Sequence, residues 1–137
     1  MLRNLIIANL FILFSTSIFS QQSAVYTNDL EEFNSAFELY SNNQFLAAQS
    51  LFLDIKEKSN DESVKSNCAY YIANSAVRLN QQNADFLMEQ FVEEYPTSIK
   101  RNSAYINVAN YYFDNGKYSH ARKWYDKVDG NSLSKGE

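Results

Sequence analysis

Ala109-Asn-Tyr-Tyr-Phe-Asp-Asn-Gly116-Lys-Tyr118-Ser-His-Ala121-Arg-Lys-Trp-Tyr125 decides the fold, because its pattern has earlier copies in the same chain. Phe45, Ala48 and Phe52 stand at the offsets of Tyr118, Ala121 and Tyr125, and a weaker copy carries Ala84, Met88 and Phe91. The three alanines lie 36 and 37 residues apart (84 − 48 and 121 − 84). A fixed period of this size predicts stacked helix pairs, because one pair cannot bury its own apolar face and needs neighbours. Arrays of this kind are usually binding surfaces rather than catalysts.

Helical spacing extends the pattern outward. Asp29 and Glu32 form a capping-box arrangement ahead of Leu30, Phe33, Ala36, Phe37 and Tyr40, which recur at intervals of three and four. Ser41 to Gln44 break this helix, and Phe45, Ala48, Leu51, Phe52 and Ile55 stripe its antiparallel partner. A second capping box, Ser59 to Glu62, opens a helix through Val64, Cys68, Tyr71, Ile72 and Ser75, and Gln81 to Asn83 form its turn. The returning helix carries Ala84, Leu87, Met88, Phe91 and Tyr95 and is stopped by Pro96. The third pair uses Ala104, Tyr105, Val108, Ala109 and Tyr112, then Gly116 in the turn, then a buried stripe of Tyr118, Ala121, Trp124, Tyr125 and Val128. The expectation is an all-α superhelix of antiparallel helix pairs over 29–128, divided at about 29–58, 61–95 and 98–128. Residues 129–137 read as a linker or the start of a further repeat, and the aromatic last helix reads as the end of a truncated array, open to self-association.

The first twenty residues differ from the rest: Arg3, an apolar run from Leu5 to Phe14, then small residues before Gln21. This is the composition of a secretory signal peptide cleaved after Ser17 or Ser20, followed by a polar leader over 21–28. The apolar run is short for an uncleaved spanning anchor, which is the alternative reading. Cys68 is the sole cysteine, so neither a lipid anchor beside the signal peptide nor an internal disulfide is expected.

The net charge of −4 becomes −5 once Arg3 leaves with the signal (11 basic against 16 acidic), which disfavours nucleic acid as a partner. The charges are uneven. Residues 29–94 hold twelve Asp or Glu against four Lys or Arg, whereas residues 100–127 hold six basic against two acidic. Such an asymmetry steers a partner, orients neighbouring modules, or reflects uncorrelated solvated faces.

At these residues the chain resembles a tetratricopeptide repeat protein. That family's first helix carries a bulky residue, a leucine, a small residue and a tyrosine, matched here by Tyr105, Val108, Ala109 and Tyr112; its second is matched by Tyr118, Ala121, Tyr125 and Val128. The second copy, read as Cys68, Tyr71, Ile72 and Ser75, lacks the small residue after the leucine place, and Gln81 replaces the turn aromatic. The first keeps Ala36, Leu39, Phe45, Ala48 and Phe52 but has Glu32 and Ser35 at two apolar places. Phe91-Val-Glu-Glu-Tyr-Pro96-Thr-Ser98 further resembles repeats of bacterial envelope proteins, of the Tol-Pal coordinator and β-barrel assembly lipoprotein type. The resemblance implies an exported adaptor, periplasmic or outer-membrane-associated, that binds a protein or peptide.

Catalysis finds little material in one His, one Cys and three scattered Gly, and no cofactor or metal set is expected. His120 reads as a surface residue and Cys68 as a buried thiol. The family's carboxylate clamp is missing, because its places hold Phe33, Phe37, Tyr70, Ser103 and Asn107. The inner-helix places offer instead Phe37, Tyr40, Tyr70, Asn74, Asn107, Asn110 and Phe113, an aromatic and amide surface suited to an extended segment. The expected function is noncatalytic protein binding or scaffolding in the envelope. Its rivals are a stacking segment of a longer array whose partner site lies elsewhere, and an enzymatic or regulatory domain beyond residue 137.

Overall fold

The computed structural model describes residues 30–128 and Gly130. The expected signal peptide, leader and Asp29 cap and the reading of residues 129–137 lie outside the described residues, Gly130 apart. The chain is all-α, with no strand among the described residues. Among the described residues six helices follow in order: α1 (30–41), α2 (Phe45–Lys58), α3 (Glu62–Arg78), α4 (Ala84–Glu94), α5 (Arg101–Asp114) and α6 (Tyr118–Tyr125). They pack as adjacent pairs. Phe33 of α1 meets Phe52 of α2 with ring centroids 5.4 Å apart; α2 packs on α3, α3 on α4 and α5, and α5 on α6.

The repetition is most exact in the turns within pairs. Asn43, Asn80 and Gly116 all have positive φ, at 61°, 53° and 73°. Each ends a helix with the same two hydrogen bonds. The amides of Gln44, Gln81 and Lys117 reach back to the carbonyls of Leu39, Ala76 and Tyr112 at 2.8–2.9 Å, and those of Asn43, Asn80 and Gly116 to Tyr40, Val77 and Phe113 at 2.9–3.0 Å. This is the Schellman termination, in which a left-handed residue satisfies the last carbonyls of a helix.

These turns correct the register of the second copy. Measured from the left-handed residue, Ala36, Ala73 and Ala109 occupy one place, seven residues earlier, and all three are fully buried. The small residue is therefore present in the second copy as Ala73, and Tyr105, Val108 and Tyr112 correspond to Ala69, Ile72 and Ala76. The slip has a local cause. Asn43 and Gly116 precede the next buried alanine by five residues, Asn80 by four, because Ala84 N–H closes a tight bond to the Gln81 carbonyl at 3.1 Å. Counting back from Ala84 thus shifts the preceding helix by one.

Helix α3 is the centre of the molecule. Val64, Cys68 and Ile72 join Ala36, Ala48, Phe52 and Ile55 in one core. Ala69, Ala73, Ala76 and Val77 join Met88 and Phe91 of α4, Val108 and Ala109 of α5, and Ala121 and Trp124 of α6 in another. Alanines let neighbouring backbones approach on both sides of one helix. Its start differs from the expected capping box: Asp61, not Ser59, is the N-cap, its side chain accepting from the amides of Ser63 and Val64, while buried Ser59 accepts from the Asp61 amide at 3.1 Å. The last helix also departs from expectation. Tyr118 is 64% exposed, and Trp124 is fully buried, turned back against Tyr105 with its ring under the Lys127 ammonium. A spacing of three from Ala121 points Trp124 toward the second pair, and Tyr125, one residue on, faces outward.

Polar links tie successive pairs. Gln49 and Gln81 exchange amide hydrogen bonds at 2.9 and 3.1 Å, and Lys56 pairs with Glu94 at 3.0 Å. Glu89 sits between Lys123 and Lys127 at 3.3 and 3.2 Å. Burial opposes its ionisation, but hydrogen bonds from both lysines outweigh burial and hold its carboxyl below the usual range. Here the acidic second pair meets the basic third, so part of the charge asymmetry orients neighbouring helices.

Candidate functional site

Successive residues on a helix point about 100° apart, so the adjacent Tyr70 and Tyr71 lean from α3 toward opposite neighbours. Tyr71 stacks on Phe52 at 5.0 Å and receives the edges of Phe33, Phe37 and Tyr40 from α1 at 5.9, 5.5 and 5.1 Å. Tyr70 turns to α5, where its hydroxyl accepts from Asn107 Nδ2 at 2.7 Å. Lys100, just before α5, holds its ammonium 5.2 Å over the Tyr70 ring and 5.6 Å over that of Tyr71. The first helices of the three pairs thus build one aromatic platform with a cation at its edge. Phe37 is 42% exposed on it, and Phe33, Tyr40 and Tyr71 are half-buried.

Burial, reinforced by Tyr40 and Tyr71 and partly offset by the Asn107 hydrogen bond, pushes the Tyr70 phenol up to about 12. Burial also raises Tyr71. Both hydroxyls stay neutral at physiological pH and serve as hydrogen-bonding groups rather than bases. One turn back along α3, Ser66 and Asn67 line a cleft of about 510 Å³ with the loop Tyr95 to Ile99, and Ile99 projects freely beside it. The arrangement can stack apolar side chains, pair a carboxylate with Lys100 and bond amides. It holds no nucleophile with a base. Cys68 is fully buried, and exposed His120 lies against Tyr112 at 5.4 Å. Among the described residues no His, Cys, Asp and Glu group is placed to hold a metal, and no helix is long and apolar enough to cross a membrane.

Of the residues singled out from sequence, Phe37, Tyr40, Tyr70 and Asn107 come together around Tyr71. Asn74 does not join them; it is buried and donates to the Tyr70 carbonyl at 3.0 Å. Asn110 and Phe113 lie further along α5, where Asn110 accepts from the Tyr125 hydroxyl and Phe113 meets Tyr118 at 5.3 Å. Sequence reasoning missed Tyr71 and Lys100. Counted from the turns, Tyr71 stands at the place of Asn107 (nine residues before Asn80 and Gly116), a signal the shifted register hid. No periodic signal marks Lys100, which lies outside the helices. The chain matches no protein-family model, no curated protein and no solved structure.

Proposed function

We propose that this chain is a noncatalytic protein-binding adaptor of the tetratricopeptide type, a superhelical array exported by its signal peptide to the periplasm or outer-membrane surface of a bacterial envelope. The observation that carries the binding reading is the solvent-facing platform of Phe37, Tyr40 and Tyr71 beside Lys100. It fits an extended protein segment that lays an apolar or aromatic side chain on the rings and sets a carboxylate near the ammonium. The recurrent turns and the buried alanines at one place in each pair support the family reading, and the signal-like composition of the first twenty residues supports the compartment. A photo-crosslinking residue at position 37, in the cell that makes the protein, should form protein adducts that Lys100→Glu weakens; the same residue at Leu53, exposed on α2, should not. Equal adducts at the two positions, or none at 37, would remove this assignment.

A further inference from the structure

The outer face of the third pair corresponds residue for residue to the face of the first pair that receives α3. With Asn43 and Gly116 as reference points, each residue of the first pair maps onto the one 73 further along (116 − 43). Tyr40 becomes Phe113, Phe45 becomes Tyr118, Gln49 becomes Arg122 and Phe52 becomes Tyr125. Within the molecule this face is filled. Phe52 is fully buried under Tyr71, and Gln49 is buried, donating to the Ile72 carbonyl at 3.3 Å and pairing with Gln81. On the third pair the same places are open. Phe113 is 53% exposed, Tyr125 41%, and among the described residues Arg122 reaches only its helix neighbour Asp126, at 3.7 Å with both side chains well exposed.

We propose that this face of α5 and α6 docks one amphipathic helix of a partner protein, seated as α3 is seated on the first pair. The internal interface specifies its chemistry. An aromatic residue belongs at the Tyr71 place over Tyr125, aliphatic side chains at those of Cys68 and Ile72, and a carboxylate at that of Gln81, since Arg122 replaces the neutral Gln49. Arg122 itself sets this charge preference, because Lys123 and Lys127 are paired with Glu89 and Lys117 with Asn80, toward the second pair. A second copy of this chain fits poorly. Its α1 would bring exposed Glu31, Asn34 and Ser35 to the places of Cys68, Tyr71 and Ile72 (37 residues earlier), with no apolar group for Tyr125. The face is separate from the Tyr71 platform, and the proposal does not rest on the function read there.

The probe is a labelled peptide of residues 59–83 carrying Gln81→Glu, held helical by a lactam between Glu62 and Ser66→Lys, titrated into the purified chain by fluorescence anisotropy. Saturable binding is expected, weakened tenfold or more by Tyr125→Ala and by Arg122→Glu, with Arg122→Glu preferring a peptide with Gln81→Lys. Both protein variants alter exposed side chains, and unchanged melting curves will show that they fold. Absence of saturable binding, or equal affinity across the variants, overturns the proposal. So does self-association of the chain that Tyr125→Ala abolishes, which would make a second copy the occupant. Binding that appears only after residues 131–137 are deleted would make the chain's own end the occupant and overturn it too.

Discussion

Gly116→Ala isolates the backbone term in the turn that repeats along this chain. Gly116 has φ +73°, and a Cβ built there meets nothing within 4 Å, so the substitution introduces no clash. The cost is conformational: a non-glycine residue pays about 1–2 kcal/mol in the left-handed region, and alanine recovers about 0.4–1 kcal/mol by narrowing the unfolded ensemble. The net expectation is a loss of about 1 kcal/mol. Gly130→Ala is the control. Its Cβ also meets nothing within 4 Å, but its backbone lies outside the left-handed region, so the change should stay within about 0.5 kcal/mol. Urea unfolding reads both as shifts of the midpoint at constant slope. Asn80→Gly should be neutral or slightly stabilising, because the left-handed geometry is already present there and the bond lost, from Lys117 Nζ to Asn80 Oδ1, is exposed. Equal midpoints for Gly116→Ala and Gly130→Ala would refute the turn geometry, and with it the register on which the equivalence of the three pairs rests.

Ala121 is 2% exposed between α5 and the second pair, so Ala121→Leu should overpack the site and cost about 1–3 kcal/mol, whereas His120→Ala, one residue away on the exposed side, should change stability by no more than about 0.5 kcal/mol; thermal melts of the two variants check the difference. Tyr70→Phe should cost about 1 kcal/mol at pH 8, because Asn107 loses its acceptor. The phenol's folded pKa lies above its unfolded value, so its contribution is present below pH 10 and disappears as pH rises through about 12. Denaturation between pH 8 and 12 should therefore show the wild type losing its advantage and falling below the variant; a constant gap would contradict the burial of Tyr70.

The sequence made the fold legible through its small residues. Ala48, Ala84 and Ala121 recur because helices that cross closely exclude anything larger, and all three are buried. Cys68 and His120 also stand where spacing placed them, one inside and one outside. The second copy slipped because nothing in Gln81-Gln82-Asn83 announces that its turn is one residue shorter, and a helix misread by one residue rotates every assignment by about 100°. That rotation put Tyr71 into the core stripe alone and hid its place on the platform. Tyr118 and Tyr125 were misplaced for a related reason: the buried stripe included Trp124 correctly, but in a short helix with aromatics at adjacent positions composition does not say which of them face solvent. Lys100 was invisible, since its role depends on where the loop after Pro96 returns beside α3.

Tyr71 belongs to two structures at once, and this constrains how the platform can work. Its ring covers Phe52 in the first core, and it also forms the floor on which Phe37 and Tyr40 rest. A segment that displaced α1 from Tyr71 would uncover apolar area at about 25 cal/mol per Å², whereas one laid over Phe37 adds burial without removing any. The second mode is the favourable one, and it leaves α1 seated. Substitutions at Tyr71 consequently mix lost stability with lost recognition, because this half-buried ring packs against both cores as well as forming the platform. Phe37 and Lys100 separate the two effects. Phe37 is partly solvated, and Lys100 adds a charge above rings that are already packed, so a variant at either place that binds less while melting unchanged reports on the surface and not on the core.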